Sequence, residues 1–390
     1  MLAIGLMSGT SLDGVDCAVV DIEGVDERTT VALRAFITYP MPDETKERIM
    51  EAVSPGGGDS RLLCSLHAEL GHLFSRSVAA ACDAAGVRTS DLSFVASHGQ
   101  TIWHEPDASR SYGDRGRYHA GTLQLGDAAV IAWDHNVCVV HDFRAMDVAA
   151  GGQGAPLVPF SEFVLYRSAT FNRVLLNVGG IANVTVLPRG CAREDIFAFD
   201  TGPGNMAIDE ACRRLFGVEY DCDGKIALRG CVDDGLLRLL LDNPYFLAPP
   251  PKSTGREMFG APFVERLISS GAAGHPDDFV ATLTELTAMS VADACRSHVA
   301  PQIDGSIDEL IIGGGGAHNP VLVSRIAALM PGTHVCTQDD LGYSSDAKEA
   351  IAFAVMGNQT LSKRPSNIPS ATGASEAVVL GSVINPPRRV

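Results

Sequence analysis

This chain begins the same way twice. From Gly5 the sequence reads GLMSGTSLDGVDCAVVDI: apolar to Met7, small and polar from Ser8 to Gly14, apolar again from Val15 to Ile22. Far downstream, Arg173–Asn177 carries a strand pattern, Val178-Gly179-Gly180-Ile181-Ala182 breaks it, and Asn183–Leu187 resumes it. Each reads as strand, tight turn, strand. Each also leads into a third strand and then a helix. In the first half these are Val31–Thr38 and a helical pattern from Glu44; in the second, Ile196–Phe199 and Met206–Phe216. Two halves that open alike predict two α/β lobes related by duplication. Their glycine turns are expected to face a cleft between the lobes, where small-molecule sites concentrate.

A chain of 390 residues suits two domains of roughly 150–200 residues each. The boundary is expected in the crossover AAGGQGAP, Ala149–Pro156, giving lobes of residues 1–150 and 151–390. Within the first lobe the pattern predicts a helix over Leu62–Ala85, after a break at Pro55-Gly56-Gly57-Gly58. A strand at Leu92–Ser97, a helix at Asp127–Asp134 and a strand at Val137–Val140 follow. The second lobe adds helices at Asp234–Leu241, Ala261–Gly271 and Phe279–Val299. Its strand Glu309–Ile312 runs into Gly313-Gly314-Gly315-Gly316 and a helix over Pro320–Leu329. A last helix, Ser345–Met356, is expected to pack back towards the first lobe.

Composition narrows the function classes. Apolar content of 46% and charged content of 20% are those of a well-packed globular protein. A formal net charge of −17 without any block of Lys or Arg argues against nucleic-acid or anionic-membrane surfaces, which need a positive footprint. It does not argue against ATP, because backbone N–H groups and a divalent cation supply positive field locally. The 10 cysteines show no C-x-x-C pair, and read as reduced thiols of a cytoplasmic protein. No signal-peptide pattern opens the chain, and no apolar run reaches the ~18–20 residues of a membrane span.

Several stretches carry candidate chemistry. The Ser8–Gly14 turn is longer than a two-residue hairpin needs. Its successive N–H groups suit phosphate, the Thr10 and Ser11 hydroxyls add donors, and Asp13 suits a magnesium ion held through water. The alternative is an ordinary hairpin turn. LIIGGGGAHNPVL brings a buried strand into four glycines and a helix, the form of a nucleotide site at a helix N-terminus; close backbone packing is the alternative. It is not a Walker A loop, since no G-K-[ST] follows. FDTGPGN puts Asp200 at a strand end as a candidate general base, with Gly202 and Gly204 leaving a ligand room to approach. Read from the residues alone, a capping aspartate is the commoner outcome. The nearby match to a dinucleotide fingerprint is set aside, because that fold starts with the fingerprint strand. SHGQTIWH places His98, Gln100 and His104 just after an apolar strand, as hydrogen-bonding groups, since their spacing fits no zinc pattern. Lys252 and Arg256 in PKSTGRE face either an anion or solvent, and Glu349 either a ligand or solvent.

Eight motifs, GLMSGTSLDGVD, SHGQT, GGQGAPLVP, NVGGIANVT, FDTGPGN, PKSTGRE, GGGGAHN and NIPSATGA, occur in this order. In them the chain resembles the anhydro-N-acetylmuramic acid kinase family along essentially its whole length. The resemblance implies the two-lobed, duplicated actin-like ATPase (ribonuclease H-like) fold shared by sugar kinases, actin and the heat-shock ATPases. It implies ATP and Mg2+ as cofactors. Gly9, Thr10, Ser11, Leu12, Asp13, Gly14, Val15 and Asp16 would then cradle phosphates, with Gly313, Gly314 and Gly315 on the nucleotide side. Asp200 becomes the base that activates the water opening the anhydro bridge of the sugar at C1, while ATP phosphorylates its O6. Thr201, Gly202, Gly204, Asn205, Gln100 and Glu349 become sugar-binding residues, and Asp13 organises magnesium. A free aspartate, with pKa near ~3.9, would be ionised for that task. The resemblance also makes a homodimer an expectation, along with a place in cell-wall sugar recycling. A different class, an actin-like or heat-shock-like ATPase, and a kinase of an ordinary hydroxyl sugar are the competing readings. One departure from the family pattern is a longer stretch between His104 and Gly126, read as a surface loop around Ser109–His119.

Overall fold

The computed structural model describes residues 1–9, 12–54, 56–106, 119–342 and 344–387. Residues Ser109–Tyr118 of the expected loop, with Thr10 and Ser11, lie outside the described residues. The chain divides into two compact units, Met1–Leu165 with Ala347–Val390, and Tyr166–Asp346. The sequence reading put the boundary at 150/151; it falls instead within the helix Val158–Tyr166, and the last 44 residues return to the first unit.

In the first unit β1 (Leu2–Ser8), β2 (Gly14–Glu23) and β3 (Thr30–Pro40) form an antiparallel meander. Next, β4 (Phe94–Glu105) lies parallel to β1, with β5 (Gly121–Leu125) antiparallel on its outer half, and β6 (Cys138–His141) lies parallel to β4. In the second unit β7 (Arg173–Val178), β8 (Ile181–Leu187) and β9 (Phe197–Pro203) repeat the meander. There β10 (Glu309–Gly313) lies parallel to β7, and β11 (His334–Thr337) parallel to β10. The chain's last strand, β12 (Ser382–Ile384), pairs antiparallel with β6. The sheets therefore run β12-β6-β4-β1-β2-β3 and β11-β10-β7-β8-β9. Each contains one order, third-second-first-fourth-fifth, with only the second strand reversed. That is the ribonuclease H-like order, and it occurs twice.

Strand periodicity explains how the first sheet is covered. Side chains alternate across a strand. Ile4 and Leu6 join the core beneath the helix Ser60–Ala85, with Leu66, Leu70 and Phe74. The intervening Gly5 meets the helix Lys348–Leu361 so closely that a Cβ there would lie 1.8 Å from the Ala350 carbonyl oxygen. The long helix Ser60–Ala85 is delimited locally: Asp59 accepts from the Leu62 N–H, and Gly86 closes it at φ +67°. In the second unit the helix Pro276–Ala294 is buried nearly all round, as its apolar sequence requires. Ala288 and Val291 join the core over Val174, Leu176 and Ile312, while Phe279 and Leu283 pack with Ala207, Leu236 and Val264.

Two strands run well past their predicted spans. Ile196–Phe199 is Phe197–Pro203, so Asp200 lies within a strand rather than at its end, and the other belongs to the first unit. Leu92–Ser97 is Phe94–Glu105 in the structure, so His98, Gln100 and His104 lie within a strand rather than after one. The polar residues end the apolar pattern, but β5 supplies hydrogen-bond partners that carry the strand on. Among the described residues no helix is long and apolar enough to cross a membrane.

Candidate active site

In the first unit the turn between β1 and β2 divides its residues between core and solvent. Gly9 is half-buried and its carbonyl accepts from the Leu12 N–H at 3.4 Å. Leu12, at φ +60°, turns its side chain inward, and Val15 is wholly enclosed. Gly14 lies against β3, where a Cβ would meet the Tyr39 carbonyl oxygen at 2.6 Å. Asp16 accepts from the Thr38 hydroxyl at 2.6 Å. Asp13 is exposed, and among the described residues its carboxylate has no hydrogen bond or ion pair. Leu12 and Val15 thus have only backbone to offer a phosphate.

Behind this turn lies a buried polar network. The Ser8 hydroxyl donates to Gln100 Oε1 at 2.6 Å, a pairing set by the parallel register of β1 and β4. His98 Nδ1 bonds the Gly99 carbonyl at 2.8 Å, and its Nε2 accepts from Arg144 Nε at 2.9 Å. Burial, with Arg144 beside it, pushes the His98 pKa down to about 3, so the ring is neutral. Arg144 also donates to the Gly154 carbonyl at 2.6 Å. Asp147 holds the same residue by its other backbone group, its Oδ2 accepting from the Gly154 N–H at 2.8 Å. Glu349, in the first turn of its helix, reaches solvent yet is walled by protein. That crowding raises its pKa, against the pull of Lys348 and Arg144.

In the second unit two glycine turns are laced together. The N–H groups of Gly204 and Asn205 donate to the carbonyls of Gly180 and Gly179, at 3.0 and 2.8 Å. Asn205 Nδ2 donates to the Val178 carbonyl at 3.2 Å, and the buried Thr201 hydroxyl to the Ala182 carbonyl at 3.2 Å. The space beside Gly204 is filled by the Gly179 carbonyl oxygen, 2.3 Å from a Cβ built there, and that beside Gly202 by Phe246 at 2.8 Å. Both glycines therefore serve protein packing as well as any ligand. The four-glycine run behaves alike: Gly313 abuts Gln338, Gly314 (φ +78°) abuts Asn177, and Gly316 abuts Val178. Only Gly315 is exposed, with Asn205 Nδ2 its nearest neighbour at 3.5 Å.

Asp200 stands on β9 beside these turns. Its Oδ2 accepts from the Thr254 N–H at 2.9 Å, while Oδ1 accepts nothing among the described residues. Burial raises its pKa and the Thr254 N–H lowers it, with burial the larger effect. Asp200 therefore holds its proton more tightly than a free aspartate.

A family model for anhydro-N-acetylmuramic acid kinase matches residues 1–386. The chain belongs to this family. It is 46% identical over 389 residues to the anhydro-N-acetylmuramic acid kinase of Bacillus cereus (strain G9842), covering 99% of this chain and 100% of that one. It is 44% identical over 387 residues to the namesake of Clostridioides difficile (strain 630), with 99% of each covered. Among solved structures, component A of the (R)-2-hydroxyglutaryl-CoA dehydratase of Acidaminococcus fermentans aligns with a TM-score of 0.45 and 11% identity, over 91% of this chain and 96% of that one.

Two of the family motifs meet at a residue that sequence reading passed over. Asp147 accepts from Asn367 Nδ2 and the Thr372 hydroxyl, both at 2.8 Å, joining NIPSATGA to GGQGAP. Arg144 was missed likewise, since an arginine and an aspartate just before a glycine loop resemble any polar crossover. Lys252, read as facing an anion or solvent, is half-buried, and its Nζ donates to the carbonyls of Tyr245 and Phe246, at 3.1 and 3.2 Å. Among the described residues no cluster of three or more His, Cys, Asp or Glu side chains is built to hold a metal ion. Asp13 nonetheless suits magnesium, which takes one or two carboxylates along with water and substrate phosphates.

Proposed function

We propose that this chain uses ATP and water to open 1,6-anhydro-N-acetylmuramic acid and phosphorylate O6. The products are N-acetylmuramic acid 6-phosphate and ADP. The family match over residues 1–386 carries the reading. O6 is an ether oxygen, so it has no proton for a base to remove. Water must instead attack C1 while the C1–O6 bond breaks and its electron pair stays on O6. O6 then forms a bond to the γ-phosphorus, and the bond to the ADP oxygen breaks. The proton leaves the attacking water for a base, as in glycoside hydrolysis. The free Oδ1 of Asp200 is suited to receive it.

In this reading Gly9 to Asp16 and Gly313 to Gly315 hold the nucleotide largely through backbone. Thr201, Gly202, Gly204, Asn205, Gln100 and Glu349 shape the sugar site. Asp13 would hold magnesium, which would supply neutralisation of the phosphate charge that phosphoryl transfer requires. The enzyme is cytoplasmic, in keeping with ten free thiols, and acts in cell-wall sugar recycling. Its partners are the two small molecules, with a homodimer as its assembly. Nucleic acid and membrane surfaces have no part, given the net charge of −17.

The test combines protein, MgATP and the anhydro-sugar in 18O-labelled water. Mass spectrometry should find a sugar 6-phosphate labelled at C1, formed with ADP. Asp200→Asn should slow its formation about 10²–10⁴-fold. ADP with unchanged anhydro-sugar would replace this reading with an ATPase. A phosphorylated sugar with its anhydro bridge intact would replace it with a kinase of an ordinary hydroxyl.

A further inference from the structure

Asp200 is fastened at three points by a single short stretch of chain. Its N–H donates to the Lys252 carbonyl at 3.2 Å, its carbonyl accepts from the Tyr245 hydroxyl at 2.7 Å, and its Oδ2 accepts from the Thr254 N–H at 2.9 Å. The stretch is also closed upon itself. Lys252 Nζ spans back to the carbonyls of Tyr245 and Phe246 and lies 4.8 Å from the centre of the Tyr245 ring. Tyr245 and Phe246 pack in turn against Phe259, with ring centres 5.9 and 5.8 Å away.

A half-buried lysine turned into a loop has given up part of its hydration, which two charge-assisted bonds and a ring face offset. Surface lysines gain nothing from such an arrangement, so its effect lies in the loop it closes. We infer that Tyr245–Thr254 is a positioning strap for Asp200 and that Lys252 is the residue that closes it. Lys252 acts on the reaction through Asp200, without touching substrate. Anchoring Oδ2 leaves Oδ1 as the one oxygen free to take a proton. This rests on the reading of Asp200 as the base. The titratable side chain of the strap that touches Asp200 is Tyr245, whose phenol burial keeps protonated; Lys252, whose pKa burial lowers, meets Asp200 through its backbone carbonyl.

The experiment compares wild type with Lys252→Met, Lys252→Arg and Tyr245→Phe in the full-length protein. The first readout is the titration of the Asp200 carboxyl, followed by 13C NMR and assigned with Asp200→Asn. Loss of strap closure should release Oδ2 from the Thr254 N–H, moving the titration midpoint of Lys252→Met up by about one pH unit. The second readout is steady-state kinetics. There kcat should fall about 10–100-fold through misplacement of the base, with the KM for ATP within about twofold of wild type. Lys252→Arg should recover part of both changes, and Tyr245→Phe should share their direction. A lowered melting temperature with midpoint and kcat unchanged would overturn the strap, leaving ordinary packing. A raised KM for ATP with kcat unchanged would overturn it too, by making Lys252 a nucleotide contact. If wild type does not phosphorylate the anhydro-sugar, the activity reading falls, and the NMR midpoint alone still decides the strap.

Discussion

Asp147 is wholly enclosed, and its carboxylate is the meeting point of three buried donors: Gly154 N–H, Asn367 Nδ2 and Thr372 Oγ1, each at 2.8 Å. Replacing it with alanine leaves the Gly154 N–H, the Thr372 hydroxyl and one Asn367 N–H without an acceptor, while the other Asn367 N–H keeps the Glu376 carbonyl at 3.2 Å. Each orphaned donor costs about 1–3 kcal/mol, so the gross loss is about 3–9 kcal/mol. Removing the ion also removes a desolvation penalty of several kcal/mol, which brings the net loss to about 3–5 kcal/mol. Asp147→Asn keeps one oxygen for Asn367 and Thr372 but points an NH2 group at the Gly154 N–H. One orphaned donor and a lost charge put that variant at about 2–3 kcal/mol. Urea unfolding measures both. The two tryptophans, Trp103 and Trp133, belong to the first unit, so their fluorescence follows the unit that contains Asp147. This matters because two units need not unfold in one step. Exposed Asp83→Asn is the control, expected within about 0.5 kcal/mol of wild type. An Asp147→Ala protein within about 1 kcal/mol of wild type would refute the reasoning, because the three donors would then have found other partners at no cost.

Two further outcomes are expected. His98 titrates near 3 when folded and near ~6.5 when unfolded, so the unfolded chain binds the extra proton between those values. Its contribution is complete above pH ~6.5 and is lost as pH falls towards 3, at up to about 1.4 kcal/mol per pH unit. His98→Gln, which keeps an acceptor for Arg144, should flatten that slope in chemical unfolding measured from pH 7 to 4. In the four-glycine run, Gly316→Ala would set a Cβ 2.4 Å from Val178 Cγ1 and should lower stability by about 2 kcal/mol or more. Gly315→Ala has room, so stability should change by less than about 1 kcal/mol while the KM for ATP rises. Equal stability losses in the two variants would make Gly315 a packing glycine.

Much of the architecture is legible in the chain because its signals are local. The turns at Ser8–Gly14 and Val178–Ala182 announce themselves by breaking apolar runs, and both hairpins form where the breaks are. The helix Ser60–Ala85 carries its own cap and stop in Asp59 and Gly86. Elements that depend on a neighbour are poorly marked. The polar half of β4 is a strand because β5 pairs with it, and β12 is a three-residue strand found by pairing with β6.

The site follows the same division. Asp200, Gln100 and the glycine runs stand out because they interrupt apolar patterns with polar or small residues, and the order of motifs is that of the family. Their physical state is another matter. Asp200 depends on an N–H 54 positions later, and Asp147 on donors 220 and 225 positions later. Lys252, a charge that sequence alone sends to an anion or to water, is turned inward by carbonyls six and seven positions before it. By itself the sequence determined the duplicated succession of elements, the turns and the candidate base, since hydrogen-bonding habit and hydrophobic period act over a few residues. Only the tertiary structure decided which carboxylate oxygen is free, which glycines are filled by protein, and how firmly each proton is held. Those properties depend on burial and on donors that only folding brings within 3 Å.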